Sequence, residues 1–139
     1  MSTMMENKIG RVIALRLGPD EDLLQGIVGA CQEYDFKNAV LLSGIGSLRR
    51  VRVVNEVPVE IKGSEIIYGY DDEPKTWGDR QGVLELCSTK GSVRMEMPGT
   101  PQAELYITFS SAVGAVLGGR LMEGTLVKLT AEIIIGEVL

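Results

Sequence analysis

The decapeptide LVKLTAEIII, at positions 126–135, decides the fold class, because its apolar side chains recur at every second residue. Such a period of two is typical of a β-strand with one face against a core and the other towards solvent. The predicted core face carries Val127, Leu129, Ala131, Ile133 and Ile135, and the opposite face carries Lys128, Thr130, Glu132 and Ile134. The sequence therefore predicts a long strand through this segment.

Most of the remaining chain also has the pattern of strands separated by turns. Short apolar runs bounded by Gly, Pro, Asn or Asp indicate these elements. They are a strand at 10–17, a strand at 38–43 followed by a tight corner at 44–47, a strand at 48–54, a hairpin at 57–70 that turns at 62–64, a loop at 71–80, a second hairpin at 83–97 that turns at Lys90-Gly91, an irregular segment at 97–101 and a strand at 103–110.

A single helix is predicted between the first two strands. Asp20 is the expected N-cap, because a short acidic side chain can accept the free N–H groups at the start of a helix. The apolar residues that recur at helical spacing are Leu23, Leu24, Ile27, Val28 and Cys31. The helix is expected to end near Tyr34-Asp35. The predicted fold class is therefore α+β, a mostly antiparallel and partly barrel-like sheet with one main helix packed on it.

Length and composition predict one globular domain. The chain has 139 residues, of which 1–8 are expected to form a polar leader and 9–139 the domain. No apolar run reaches the roughly 20 residues that a membrane helix needs, and the first residues lack the pattern of a secretory signal. We therefore expect a cytoplasmic protein without a membrane partner. Cys31 and Cys87 form no C-x-x-C pair and are expected to remain free thiols.

The charge balance disfavours a general attraction to nucleic acids. The formal net charge is −5, which repels phosphate backbones. Positive charge is concentrated locally at Arg49, Arg50 and Arg52, and these arginines are the candidate DNA contacts. The pattern favours the alternative that they form the solvated face of a strand, because Val51 and Val53 alternate with Arg50 and Arg52.

The complete absence of histidine limits the chemistry that the chain can perform. A serine hydrolase triad would lack its base, and an imidazole metal site would lack its ligands. We therefore predict no catalytic residue, metal or cofactor, and a non-enzymatic role is favoured. Glu85 and Glu132 could act as paired carboxylates, although solvent-facing positions or contacts with a neighbouring subunit are expected instead. For Gly114, Gly118 and Gly119, turn and packing roles are expected in preference to phosphate binding.

Four stretches, in order along nearly the whole chain, resemble the PPC domain (plant and prokaryote conserved domain, also called the domain of unknown function 296 family). They are RLGPDEDL at 16–23, LSGIGSL at 42–48, GVLELCSTKG at 82–91, and ELYI at 104–107 followed by GGRLMEG at 118–124 and TAE at 130–132. The resemblance implies a homotrimer in which sheets of neighbouring subunits pack together. In plant relatives AT-hooks bind DNA, but their Arg-Gly-Arg-Pro core is absent from this sequence.

One departure from the family bears on the candidate site. Many prokaryotic relatives carry His-x-His and Gly-Gly-His at the positions that hold Glu104, Tyr106 and Arg120 here, and those histidines look like a metal or ligand cluster. The resemblance implies that these three side chains meet. A carboxylate and a guanidinium are then expected to form a polar clamp instead of a metal site. The alternative is that Glu104 and Arg120 are solvated side chains.

Two functions follow as hypotheses, beside a third in which Arg49, Arg50 and Arg52 bind DNA. The first is a non-enzymatic homotrimeric module with a regulatory or scaffolding role and a candidate association with DNA. The second is a protein that binds a small anionic ligand in a polar cleft between subunits. Glu104, Tyr106 and Arg120 would line that cleft, with Trp77 as a further candidate, because a guanidinium suits carboxylate or phosphate.

Overall fold

The fold is described from a computed structural model of the chain, which covers residues 1–78, 80, 83–97 and 99–139. The elements are β1 (Ile9–Leu17), α1 (Leu23–Glu33), β2 (Asn38–Val54), β3 (Glu56–Lys62), β4 (Glu65–Tyr70), β5 (Lys75–Gly78), β6 (Leu84–Met97), β7 (Thr100–Ser110), β8 (Val116–Leu121) and β9 (Leu126–Val138). The predicted fold class is confirmed, since one helix accompanies a mostly antiparallel sheet in these residues.

Seven strands of the described residues form one antiparallel sheet. Its order is β1-β9-β2-β6-β7-β8, and β5 pairs with β2. Val53 and Val54, at the end of β2, also pair with β8, so that β2, β6, β7 and β8 form a ring. This closure is short, and the sheet is partly ring-like without being a true barrel. Strands β3 and β4 form the predicted hairpin as a separate two-stranded sheet.

The core lies between α1 and the sheet. The helix buries Leu23, Ile27, Ala30 and Cys31 against residues of the strands. Desolvation raises the pKa of the Cys31 thiol to about 11, whereas Cys87 is exposed, and both thiols are free. No helix in the described part of the chain is long and apolar enough to cross a membrane.

The helix begins two residues later than predicted. Asp20 has a positive φ of 66°, and its backbone N–H donates to the carbonyl of Val127 at 2.8 Å, so Asp20 is not the N-cap. Asp22 caps the helix, because its carboxylate accepts from the N–H of Gln25 at 3.0 Å. The same carboxylate accepts from the N–H of Gly124 at 2.7 Å. Asp22 therefore ties the helix start to the turn between β8 and β9.

The predicted corner at 44–47 is wrong, because β2 runs through it without interruption. At Gly46 a Cβ atom would lie 2.6 Å from the carbonyl oxygen of Thr130 and 2.7 Å from the Cα of Ala131. The glycine therefore allows β9 to approach β2 closely and makes no turn. Arg49 and Arg50 are both exposed beside a register shift between β2 and β9, while Val51 and Val53 are buried as predicted.

The second predicted hairpin is also wrong, because β6 is continuous through Lys90 and Gly91. Gly91 has a φ of +122°, and a Cβ atom there would lie 1.9 Å from the carbonyl oxygen of Glu104 on β7. Gly91 thus permits a close crossing of two paired strands, and it pairs with Leu105 in the register. A local pattern cannot distinguish this use of glycine from a turn.

The predicted loop at 71–80 contains strand β5, which pairs with β2. Trp77 in this strand packs against Phe109, with ring centroids 5.3 Å apart in an edge-on arrangement. Apolar burial of the Trp77 ring explains why an acidic segment returns to the sheet. Three residues of the predicted segments lie outside the described residues. They are Asp79 in the predicted loop, Gly82 in the motif at 82–91 and Pro98 in the irregular segment at 97–101.

The predicted strand at 126–135 is confirmed, but one of its core residues is misplaced. Leu129 is 64% exposed, because the register of β9 shifts where it passes Ser47. The hydroxyl of Ser47 accepts from the backbone N–H of Leu129 at 3.2 Å. Val127, Ala131, Ile133 and Ile135 are buried as predicted.

Candidate functional site

Strands β7 and β8 place Tyr106 directly beside Arg120, because these two residues are partners in the register. Glu104 lies two residues before Tyr106 and therefore on the same face of β7, with buried Leu105 between them on the other face. Glu104 and Tyr106 are exposed and Arg120 is half-buried. The three predicted residues thus belong to one region of the surface.

The guanidinium of Arg120 is held by β7 and by the end of β4. Its Nη2 donates to the carbonyl of Ala103 at 3.2 Å, and its Cζ lies 5.3 Å from the ring centroid of Tyr70. No ion pair joins Arg120 to Glu104 within the described residues. The expected carboxylate–guanidinium clamp is therefore not formed, because a carbonyl and an aromatic face hold the cation instead.

Tyr70 and Tyr106 share a hydrogen bond between their hydroxyl groups, at 2.9 Å. This bond lowers the pKa of Tyr70, and a hydrogen bond from Arg120 together with its positive charge lowers that pKa further. The pKa of Tyr106 is raised, first by the same hydrogen bond to Tyr70 and then by desolvation. The hydrogen bond therefore couples the ionisation of the two hydroxyl groups, and either of them can donate.

A cavity of about 400 Å³ opens beside Arg120 and Tyr70. Its apolar lining comes from Leu24, Val54, Ala103, Leu121, Met122 and Pro74, and its polar lining comes from Arg120, Asp71 and Asp72. We call it the Arg120 cavity. Neither Glu104 nor Tyr106 lines it, and Trp77 packs against Phe109 elsewhere in the sheet.

Sequence reasoning missed Tyr70, Asp71 and Asp72. Tyr70 ends β4, and the backbone N–H of Asp71 donates to the carbonyl of Asn55 at 3.1 Å, which sets where the chain leaves the hairpin. The hairpin itself was predicted, but its position relative to Arg120 depends on contacts distant in sequence. The run Tyr70-Asp71-Asp72 offered only the signal of an acidic loop.

The three candidate DNA contacts are engaged with other parts of the chain. Arg49 forms an ion pair with Asp20 at 3.2 Å. Arg50 donates from Nε to the carbonyl of Gly124 at 2.8 Å, and Arg52 donates from Nη1 to that of Glu123 at 3.2 Å. Arg50 and Arg52 thus bind the turn between β8 and β9.

The remaining candidates do not assemble into a reactive group. Glu132 forms an ion pair with Arg16, and Glu85 is exposed. Gly114 has a φ of +82°, as expected for a turn, whereas Gly118 and Gly119 lie within β8. Among the described residues, no group of three or more acidic or thiol side chains could hold a metal ion.

Comparisons with known proteins bear on the fold. Residues 4–139 match the model of the Plants and Prokaryotes Conserved (PCC) domain, the family also abbreviated PPC. A plant- and prokaryote-conserved (PPC) protein of Pyrococcus horikoshii is similar in structure at 24% identity, with a TM-score of 0.67 over 100% of this chain and 85% of that one. No curated protein matches the sequence.

Further solved structures share the fold. A hypothetical protein from Salmonella enterica is similar with a TM-score of 0.74 at 24% identity, covering 96% of this chain and 81% of that one. A protein of Bacteroides thetaiotaomicron, provisionally assigned as DNA-binding, has a TM-score of 0.69 at 13% identity, covering 94% of this chain and 83% of that one. Identities this low establish the shared fold alone.

Proposed function

This chain belongs to the Plants and Prokaryotes Conserved (PCC) domain family, and from that membership we propose that it is a non-enzymatic homotrimeric module with a regulatory or scaffolding role. Apolar surface that the chain does not cover itself supports this proposal. The observation that carries it is the hairpin of β3 and β4, which forms its own two-stranded sheet and shares no strand pairing with the main sheet.

The hairpin exposes apolar side chains on both of its strands. Val59 is 57%, Ile61 72% and Tyr68 54% exposed, and Ile66 and Ile67 are also exposed. Ile61 and Ile66 are direct partners in the hairpin register. A two-stranded hairpin is at best marginally stable in water by itself. Packing against a neighbouring subunit would bury this surface and stabilise the hairpin.

A second exposed apolar cluster lies on the outer face of the main sheet. Val12 on β1 pairs with Gly136, and the side chains of Ile9 and Leu42 lie on either side of that glycine. All three apolar side chains are about half exposed. Contiguous apolar surface of this kind is typical of protein interfaces, and it gives a neighbouring sheet a place to pack.

Assembly can be measured directly. We expect size-exclusion chromatography with light scattering to give three times the chain mass of 15.1 kDa. Ile61→Lys should shift the protein towards monomers, because a charge would enter the covered surface. Val113→Lys is the matched control, since Val113 is 90% exposed in the turn after β7 and should leave the mass unchanged. A stable wild-type monomer would overturn the proposal.

Association with DNA is the partner function that we propose for the trimer, by analogy with the B. thetaiotaomicron relative. A trimer would present Arg49 three times, and its ion pair with Asp20 leaves N–H donors of the guanidinium free. Arg50 and Arg52 would add positive charge while they remain hydrogen-bonded to the turn between β8 and β9.

An electrophoretic mobility-shift assay with duplex DNA at two salt concentrations tests this role. We expect weak, sequence-independent retention of duplex DNA at about 50 mM salt and a loss of at least about tenfold by about 200 mM. Arg49→Gln should weaken retention, whereas Arg94→Gln, at an exposed position on β6, should not. Failure to retain DNA at the lower salt concentration would remove DNA from the proposed function.

Binding of a small ligand is the second candidate function. The Arg120 cavity supports it, because pockets of roughly 300–1,000 Å³ with a mostly apolar lining and a few polar groups are typical ligand sites. A negatively charged group of the ligand would contact Arg120. Glu104 and Tyr106 would lie beside this cavity and contribute to its electrostatic surroundings.

A further inference from the structure

The Arg120 cavity joins a buried apolar wall to charged groups of both signs. Val54 and Leu121 are buried residues of the core region, and Leu24 packs against the same core. Met122 completes this wall. Burial of an apolar group against these side chains is favourable by roughly 25 cal/mol for each Å² removed from water. One end of the cavity ligand should therefore be apolar.

Arg120 provides the positive group, and its position is fixed. One N–H of the guanidinium donates to Ala103, and the ring of Tyr70 lies against its Cζ. A guanidinium has several further N–H donors, arranged in a planar fork that matches a carboxylate. No carboxylate of the described chain pairs with Arg120, so the N–H donors that Ala103 and Tyr70 do not engage can contact a ligand.

Asp71 and Asp72 provide the negative groups. Both line the cavity, and neither forms an ion pair within the described residues. With carboxylates outnumbering the guanidinium, the lining repels a ligand that carries only negative charge, such as a phosphate-rich molecule. It favours a ligand that also brings a cation, since an ammonium group can donate to carboxylates.

We infer that the Arg120 cavity binds a free α-amino acid with a large apolar side chain, an inference that rests on the ligand-binding candidate above. The carboxylate of the ligand pairs with Arg120, its ammonium group pairs with Asp71 and Asp72, and its side chain packs on the apolar wall. This arrangement uses every charged group of the cavity, and it changes the expected ligand from an anion to a zwitterion.

Isothermal titration calorimetry distinguishes the two ligand classes. L-leucine and L-phenylalanine should each bind about tenfold or more tightly than N-acetyl-L-leucine, which lacks the ammonium group, and L-leucine methyl ester, which lacks the carboxylate. If N-acetyl-L-leucine or inorganic phosphate bound as tightly as the free amino acids, this inference would be overturned. The candidate function of binding an anionic ligand would then remain. Binding of none of these probes would overturn both.

Variants then locate the site. Asp71→Asn and Asp72→Asn should each weaken L-leucine binding by up to about tenfold, with no loss for N-acetyl-L-leucine. Arg120→Lys retains the charge without the fork and should weaken binding of both compounds. Asp35→Asn is the matched control, because it removes an exposed carboxylate in the turn after α1. Unchanged L-leucine binding by both cavity aspartate variants would contradict the assignment.

Discussion

Replacing Gly91 with valine is expected to prevent stable folding. The backbone there has a φ of +122°, which side chains rarely adopt, and the new Cβ would collide with the carbonyl oxygen of Glu104 at 1.9 Å. The colliding atom belongs to the backbone of the paired strand β7, so no rotamer change relieves the contact. We expect a loss of roughly 4 kcal/mol or more in the free energy of unfolding, a large share of the roughly 5–15 kcal/mol that native domains possess.

Urea unfolding followed by circular dichroism would measure this loss, or the absence of soluble folded protein would reveal it. Gly29→Ala is a suitable control, because Gly29 lies within α1 and a Cβ there meets nothing within 4 Å. That variant should gain about 0.5–1 kcal/mol, since alanine is the better helix former. A Gly91→Val protein as stable as the wild type would mean that β6 and β7 do not cross as described.

Phe109→Ala is expected to give the second large effect. Phe109 is fully buried in the centre of the core and forms the edge-on contact with Trp77. Truncating a buried phenylalanine costs about 3–5 kcal/mol, through lost burial and the cavity left behind. Because Trp77 is the only tryptophan, its fluorescence emission should shift to longer wavelength as water reaches the ring.

The same fluorescence signal can follow urea unfolding of wild type and variants. Phe109→Leu keeps most of the side-chain volume and should cost roughly 1 kcal/mol, with a smaller emission shift. If Phe109→Ala left both stability and emission unchanged, the packing of β5 against the core would be refuted. The test thus also checks that the segment predicted as a loop returns to the sheet.

The sequence predicted elements well where side-chain alternation was regular. Strand β9, the hairpin of β3 and β4, and the apolar face of α1 follow from local patterns alone. The errors at Gly46 and Gly91 have one common cause. Local rules interpret glycine between apolar runs as a turn, but here each glycine makes room for a strand that is distant in sequence. Only the three-dimensional pairing distinguishes these two uses.

The candidate site was predictable in part. Family resemblance brought Glu104, Tyr106 and Arg120 into one region, and the register between β7 and β8 places Tyr106 beside Arg120. A carboxylate partner for Arg120 is absent from the described residues of this chain, because opposite charge alone does not decide which acceptor a guanidinium finds. Tyr70 and the carbonyl of Ala103 have no sequence signal that could reveal their contacts with Arg120.

The place of β9 between β1 and β2 bears on how the chain can be synthesised. Although β1 is made first, its pairing partner in the sheet is β9, which begins at Leu126. In a chain still growing on the ribosome, the backbone groups of β1 and of one side of β2 therefore bond to water alone until the residues of β9 have been made. The domain can close only once Leu126–Val138 is able to pair, and until then the open strand edges of the growing chain are exposed to misassociation.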